Sequence, residues 1–261
     1  MPTVRVRGVE LHYETHGSGA SCVVIAHGAL GSMAHAEALG LRAAALAAQG
    51  FRVVAYDARG HGRSGYTASL GHYQPAALAD DLLGLMDALA LEQVCIYGTS
   101  MGASTALMLA LAHPARVKNL VLRAPSPFGV DIEAARARLY PLASMYRWLG
   151  ASLTVQIATM VSRAADRPRL KTLLSGQQRR AIVPVIRGFL SEPIEPATLA
   201  QIEAPTLILT HPEDPLHPLR SGEVLLASMP HAKLLVAPSR SHWEENRELL
   251  VQVVASSLRA D

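Results

Sequence analysis

The chain has 261 residues, enough for one large α/β domain or two small ones, and half of them are apolar, which supplies a sizeable core. Lys and Arg total 24 against 21 Asp and Glu, a net charge of +3 carried mostly by arginine, since Lys118, Lys171 and Lys233 are the only lysines. No block of like charge forms a stripe, so a nucleic-acid partner is not expected, and no apolar run reaches membrane-spanning length.

From the N-terminus, "TVRVRGVELHYE" alternates polar and apolar residues as an edge-type strand does. No charged segment followed by an apolar one marks a signal peptide, and a cytoplasmic location is expected. Strand-like apolar runs follow at 22–26, 52–56, 93–97, 120–123, 206–210 and 233–236. Cys22 and Cys95 each fall inside such a run and read as small buried hydrophobes rather than a disulfide or redox pair. Helical segments at 34–49, 75–91 and 99–113 separate the strands. In 75–91, Leu78, Leu82, Leu83, Met86 and Leu89 recur mainly at three- and four-residue steps, which buries one face and leaves Asp80-Asp81 on an outer turn. Strand–helix alternation of this kind predicts an α/β protein, with a mostly parallel twisted sheet and helices on both faces.

The alternation stops between Pro125 and Pro193, where the chain is helix-like and partly Arg-rich, and resumes at "APTLILT". Residues 125–193 are therefore expected to form a small helical insertion over one end of the sheet, with 1–124 and 194–261 making the core.

The stretch "YGTSMGAS" lies between the strand run "QVCIY" and the helical run "TALMLALAH". A G-x-S-x-G at a strand-to-helix junction forces its serine into a sharp turn that exposes the hydroxyl above the strand ends. Gly98 and Gly102 let the backbone close around Ser100, Ala103 keeps the helix near the sheet, and the helix N-terminus favours developing negative charge.

A serine hydroxyl is a poor nucleophile unless a base takes its proton and a third group orients that base. Of eleven histidines, His242 in "SRSHWEEN" follows the last strand run by a short loop, on the edge of the sheet that holds Ser100. His12, His16, His72, His113, His211, His217 and His231 fall in turns or helix ends without a matching acid, His35 begins a helix, and His61 precedes Ser100 in the chain. In "LILTHPEDPLHP", Asp214 is the favoured carboxylate, with Glu213 as its competitor; Asp57 is expected to order its own loop, "YDARGHGRSG". Serine, aspartate and histidine in that chain order match one of the three known orders of the triad. "VVIAHGALGS" ends a strand at His27-Gly28 and frees the Ala29 N–H to join the Met101 N–H in holding an oxyanion. His27 itself is expected to be structural.

Through "HGALGS", "YDARGHGRSG", "GTSMGAS", "HPEDPLHP" and "SRSHW", the chain resembles the α/β-hydrolase superfamily over essentially its whole length. The resemblance implies Ser100 as nucleophile, His242 as general base and then acid, Asp214 as orienter, Ala29 and Met101 as oxyanion donors, and the insertion as a cap. Ser241 stands where many members have glycine, and no carboxylate follows the strand run 120–123 until Asp131. Serine at the nucleophile position implies acyl transfer to water, with carboxylic esters and lactones as default substrates. "SHW" is similar to the His-Trp pair of the carbon–carbon hydrolases of the meta-cleavage type, although the Gly-Pro-Gly stretch expected after their H-G is absent. Thioesterase, acyltransferase and perhydrolase chemistry use the same machinery, and a small-molecule receptor on this fold is a further alternative. Phe128, Tyr140, Met145, Tyr146, Trp148, Met160 and Phe189 offer bulky surface in the insertion, and Trp243 adds to it. These residues could line a pocket for a medium-sized, apolar or cyclic small molecule, or pack helices onto the core. The histidines and carboxylates lack metal-ligand spacing, and no metal or organic cofactor is expected.

Overall fold

The computed structural model describes residues 2–29, 31–38, 41–125, 132–161, 178–212, 214 and 216–259. Eight strands form one sheet: β1 (Thr3–Val6), β2 (Val9–His16), β3 (Cys22–Ala26), β4 (Arg52–Tyr56), β5 (Val94–Thr99), β6 (Val117–Arg123), β7 (Thr206–Thr210) and β8 (Ala232–Val236). Their spatial order is β1-β2-β4-β3-β5-β6-β7-β8. β2 pairs antiparallel with β1 and β4, and the strands from β4 to β8 run parallel.

The central strands are continuous apolar runs because both of their faces are covered. Along β3, Val23 and Ile25 enter one cluster with Val53, Tyr97, Leu250 and Val254. Cys22, Val24 and Ala26 enter the other, with Leu82, Met86, Ile96 and Leu107. The period of two thus sorts one strand into two cores. Both cysteines are free and buried, and burial pushes the Cys95 thiol up to about 11.

Helices α1 (Met33–Ala38) and α2 (Ala43–Ala47) replace the single helix expected at 34–49. Arg42 is extended there (φ −88°, ψ 123°), and alanine-rich periodicity carries no sign of such a break. Helices α3 (Pro75–Ala88) and α4 (Met101–Ala112) follow the expected periodicity. Between β6 and β7 lie α5 (Ile132–Val161), interrupted at Gly150 where φ is +75°, and α6 (Ile182–Phe189). Ile132, Tyr146, Ile182, Val185 and Phe189 from this segment join the cluster that holds Val24 and Leu82. Helices α7 (Leu219–Ser228), α8 (His242–Glu245) and α9 (Arg247–Arg259) complete the chain.

The chain leaves β3 to form β4 on one side, then returns to lay β5 on the other. Connections that diverge in this way open a crevice at the carboxyl ends of β3 and β5, where ligands of open α/β sheets bind.

Candidate active site

Ser100 sits in that crevice, between β5 and α4, with φ +53° and ψ −112°. Few residues other than glycine adopt positive φ, and the cost is held by the surroundings. The Ser100 N–H donates to the Arg123 carbonyl (3.1 Å), tying the turn to β6. A Cβ on Gly98 would lie 2.5 Å from the Gly102 carbonyl oxygen, and one on Gly102 would lie 2.1 Å from the Ala26 carbonyl oxygen. Neither position has room for a side chain, so the two glycines are what allow this turn.

The end of β3 forms the opposite wall. A Cβ on Gly28 would lie 3.3 Å from the Ser100 Cβ and 3.9 Å from its Oγ, which sets this backbone directly against the serine. The Gly28 carbonyl accepts from His27 Nδ1–H and from the Gly31 N–H, both at 2.8 Å. In a planar trans peptide the Ala29 N–H points opposite to the Gly28 carbonyl, so fixing one fixes the other. His27 Nε2 accepts from the Ala58 N–H (2.9 Å), which sets its tautomer with the proton on Nδ1. His27 is therefore more than a strand-end residue: it orients the peptide that carries the Ala29 N–H. His61, fully buried, lies 2.8 Å from the Ala29 carbonyl and 2.9 Å from the Arg59 carbonyl. Met101 opens α4, where the first-turn N–H groups have no intrahelical acceptor.

An imidazole meets the serine: His217 Nε2 is 2.8 Å from Ser100 Oγ. His217 Nδ1 is 3.1 Å from Asp214 Oδ2. With Nδ1–H donating to the carboxylate, Nε2 keeps a lone pair for the serine hydroxyl proton. Asp214 Oδ1 accepts the backbone N–H groups of Leu216 (2.9 Å) and His217 (3.1 Å), and His211 Nε2 lies 3.5 Å from Oδ2. Burial alone would raise the Asp214 pKa. The contacts with His211 and His217, and the bond from Leu216 N–H, outweigh it and hold the carboxyl well below the usual range.

The expected base, His242, is elsewhere. It opens α8 half-buried, its ring edge-on to Trp243 with centroids 4.8 Å apart, and it hydrogen-bonds neither Ser100 nor Asp214. His217, three residues after Asp214 and in contact with its carboxylate, fills the position next to Ser100 Oγ. The sequence pairs no acid with His217, whereas in the structure Asp214, three residues before it, is its partner.

Of the bulky residues expected at a pocket, Trp148 is 75% exposed with Arg147 near its ring. Tyr146 is buried in the core cluster beside Ala143 and Ile182, while Tyr140 is half-buried under the Arg187 guanidinium. Trp243 is buried in the cluster with Leu250 and Val254. Phe128 and the alternative carboxylate Glu213 lie outside the described residues, as does the side chain of Met160. Asp57 orders its own loop as expected, accepting from the N–H groups of Met33 and Arg63 (2.9 Å each). Among the described residues no cluster of three or more His, Cys, Asp or Glu could hold a metal ion, and no helix is long and apolar enough to cross a membrane.

Residues 22–164 match the family described as the alpha/beta hydrolase fold. The chain belongs to this family. A 2-hydroxy-6-oxononadienedioate/2-hydroxy-6-oxononatrienedioate hydrolase of Pseudomonas putida is 30% identical to this α/β hydrolase over 252 residues, covering 91% of this chain and 86% of the relative. Among solved structures, the enol-lactonase of Burkholderia xenovorans LB400 superposes with a TM-score of 0.83 at 22% identity, covering 99% of this chain and all of that one. A thermophilic esterase of Thermogutta terrifontis superposes with a TM-score of 0.78 at 24% identity, over 98% and 96% of the two chains. At these identities the two structures speak for the fold of the α/β hydrolase, an eight-stranded and mostly parallel sheet with helices on both faces.

Proposed function

We propose that this α/β hydrolase cleaves a carboxylic ester or lactone through an acyl-enzyme on Ser100. The observation that carries the reading is a serine held at φ +53° at a strand–helix junction with its Oγ 2.8 Å from an imidazole nitrogen. A strained, half-buried hydroxyl with its proton acceptor in place is suited to attack a carbonyl carbon. The oxyanion formed would be met by the Ala29 and Met101 N–H groups, and losing one such donor costs typically 10²–10³-fold in kcat. The helical segment between β6 and β7 is read as a cap that sets substrate size.

A second reading is favoured by the Pseudomonas putida relative, whose substrates carry a ketone conjugated to an enol. On such a vinylogous diketone the same serine and oxyanion donors would serve carbon–carbon hydrolysis. A panel of esters, lactones and 2-hydroxy-6-oxo dienoates, assayed with wild type and S100A, tests both readings. The expected result is turnover of esters or lactones that falls on the order of 10⁴-fold or more in S100A, with a fluorophosphonate attached to Ser100 in the wild type. Turnover confined to the dienoates selects the second reading. Tight ligand binding without turnover, unchanged in S100A, would indicate a receptor and overturn both.

A further inference from the structure

We propose that the cavity between β2 and α1 is a second small-molecule site, one that takes a compact organic ammonium ion on the ring of His12. The cavity measures about 380 Å³, the size of a ligand pocket, and lies on the face of the sheet that α1 and α2 cover. Among the described residues that line it there is none of Gly28, Ala29, Ser100, Met101 or His217. It is therefore separate from the crevice that holds the serine.

Alternation along β2 turns His12, Glu14 and His16 to one face, and all three line the cavity. His12 is 3% exposed, yet neither of its ring nitrogens makes a hydrogen bond. Its backbone holds the ring in place: the N–H donates to Ser64 Oγ (2.8 Å), and the carbonyl accepts from the Asp57 N–H (2.9 Å). Nδ1 stands 3.4 Å from Asp57 Oδ2. A lone pair facing a carboxylate would be repelled, so Nδ1 carries the proton and Nε2 is left as an acceptor without a donor. A buried acceptor in that condition is costly unless a donor reaches it from the cavity.

The charges around the ring select the donor. Glu14, Glu37 and Asp57 bring three carboxylates to the cavity, against the guanidinium of Arg63 among the described lining residues. Asp57 is already engaged by the N–H groups of Met33 and Arg63 (2.9 Å each), and His16 Nε2 lies 3.6 Å from Glu14 Oε2. Glu14 is half-buried and Glu37 exposed, which sets negative charge nearer the solvent and His12 deeper. Ile25, Met33, Ala36 and Ala55 supply apolar wall for a hydrocarbon body. An ammonium head can donate to His12 Nε2 and is attracted by the carboxylates, whereas an anion is repelled and an alcohol gains only the bond to His12. Among the described residues these groups do not converge as metal ligands, so the cation is organic.

The test is isothermal titration of the full chain, near neutral pH, with benzylammonium chloride, benzyl alcohol and sodium benzoate. The three share a small aromatic body and differ in the charge of the head. Benzylammonium is expected to saturate with a Kd of about 1 mM or below, at least about tenfold tighter than the alcohol, while benzoate shows no saturable binding. In His12→Phe, which keeps a ring and removes its acceptor, affinity for benzylammonium should fall about tenfold or more. In the double variant Glu14→Gln with Glu37→Gln it should fall about threefold or more. Thermal unfolding confirms that each variant is folded. Failure of benzylammonium to saturate would mean that the cavity takes water alone, and overturns the proposal. So does binding of the alcohol or benzoate as tight as that of the ammonium. Wild-type affinity in a folded His12→Phe, or in the double glutamine variant, overturns it as well. The titration needs no turnover, so its outcome is separate from the reaction at Ser100.

Discussion

His61 is a buried titratable residue whose protonation bears on the fold around the site. It is fully buried, with ring nitrogens facing the carbonyls of Arg59 and Ala29. Burial lowers its pKa below 6.5, even though both carbonyls and Asp57 pull the other way. With the folded pKa depressed, the unfolded chain takes up the proton first as pH falls. The contribution to stability is therefore complete above about 6.5 and is lost as pH falls below it. Urea unfolding at pH 7.5 and pH 5.5 should show wild type losing stability on acidification, and His61→Gln should show a shallower loss from a lower starting value. An equal slope in the two proteins would remove His61 from the account. The sharp turn at Ser100, by contrast, is legible once the strand and helix runs on either side of it are read. Gly98 and Gly102 announce a turn that no larger residue allows, and the 2.1 Å and 2.5 Å approaches are the spatial form of that pattern.

At the scale of elements, the loop 57–65 and α3 are locked by one buried ion pair. Arg59 Nε and Nη2 reach Asp81 Oδ2 and Oδ1 at 2.7 and 2.6 Å, and the two side chains are 1% and 2% exposed. Removing one partner from such a pair strands the other charge and costs about 3–5 kcal/mol, whereas replacing both by apolar groups is often neutral. Asp81→Asn should therefore lower the unfolding free energy by about that amount, while Arg59→Met with Asp81→Leu should recover most of it. Equal losses in single and double variants, read by chemical denaturation, would mean the pair acts through packing alone. Sequence periodicity had put Asp81 on an outer turn of α3. It reads polarity as exposure, and a bidentate arginine brought from 22 residues away defeats that rule. The contact between Asp214 and His217 was less legible, because a histidine three residues after an acid in a polar stretch reads as loop polarity, and only the bonds from the Leu216 and His217 N–H groups to Asp214 Oδ1 show how closely the two are held.

The molecule as a whole was legible where both faces of a strand are buried. Strands β3, β4 and β7 coincide with their apolar runs, whereas β6 begins three residues earlier than expected, at Val117, because pairing with β5 continues from the buried Asn119 across a register shift to Val117. The helical segment between β6 and β7 was legible as an interruption, but its attachment was not. It shares a hydrophobic cluster with the sheet and is bonded to it at several points: Gln178 Nε2 donates to the carbonyls of His61, Gly62 and Ser64, and Gln74 donates to Glu192. At Gly188 of α6 the two come close: a Cβ there would lie 2.2 Å from the Leu70 carbonyl oxygen and 2.8 Å from the Tyr73 Cβ. Gly188→Ala must push α6 off the 3-10 turn at Leu70–Tyr73, at a cost of about 1–3 kcal/mol. Since segment and sheet share one core, that cost should fall on a single cooperative transition, with Tm lowered by roughly 2–4 °C per kcal/mol. Calorimetry that instead resolved two transitions, with only the lower one shifted, would make the helical segment an independent unit resting on the sheet.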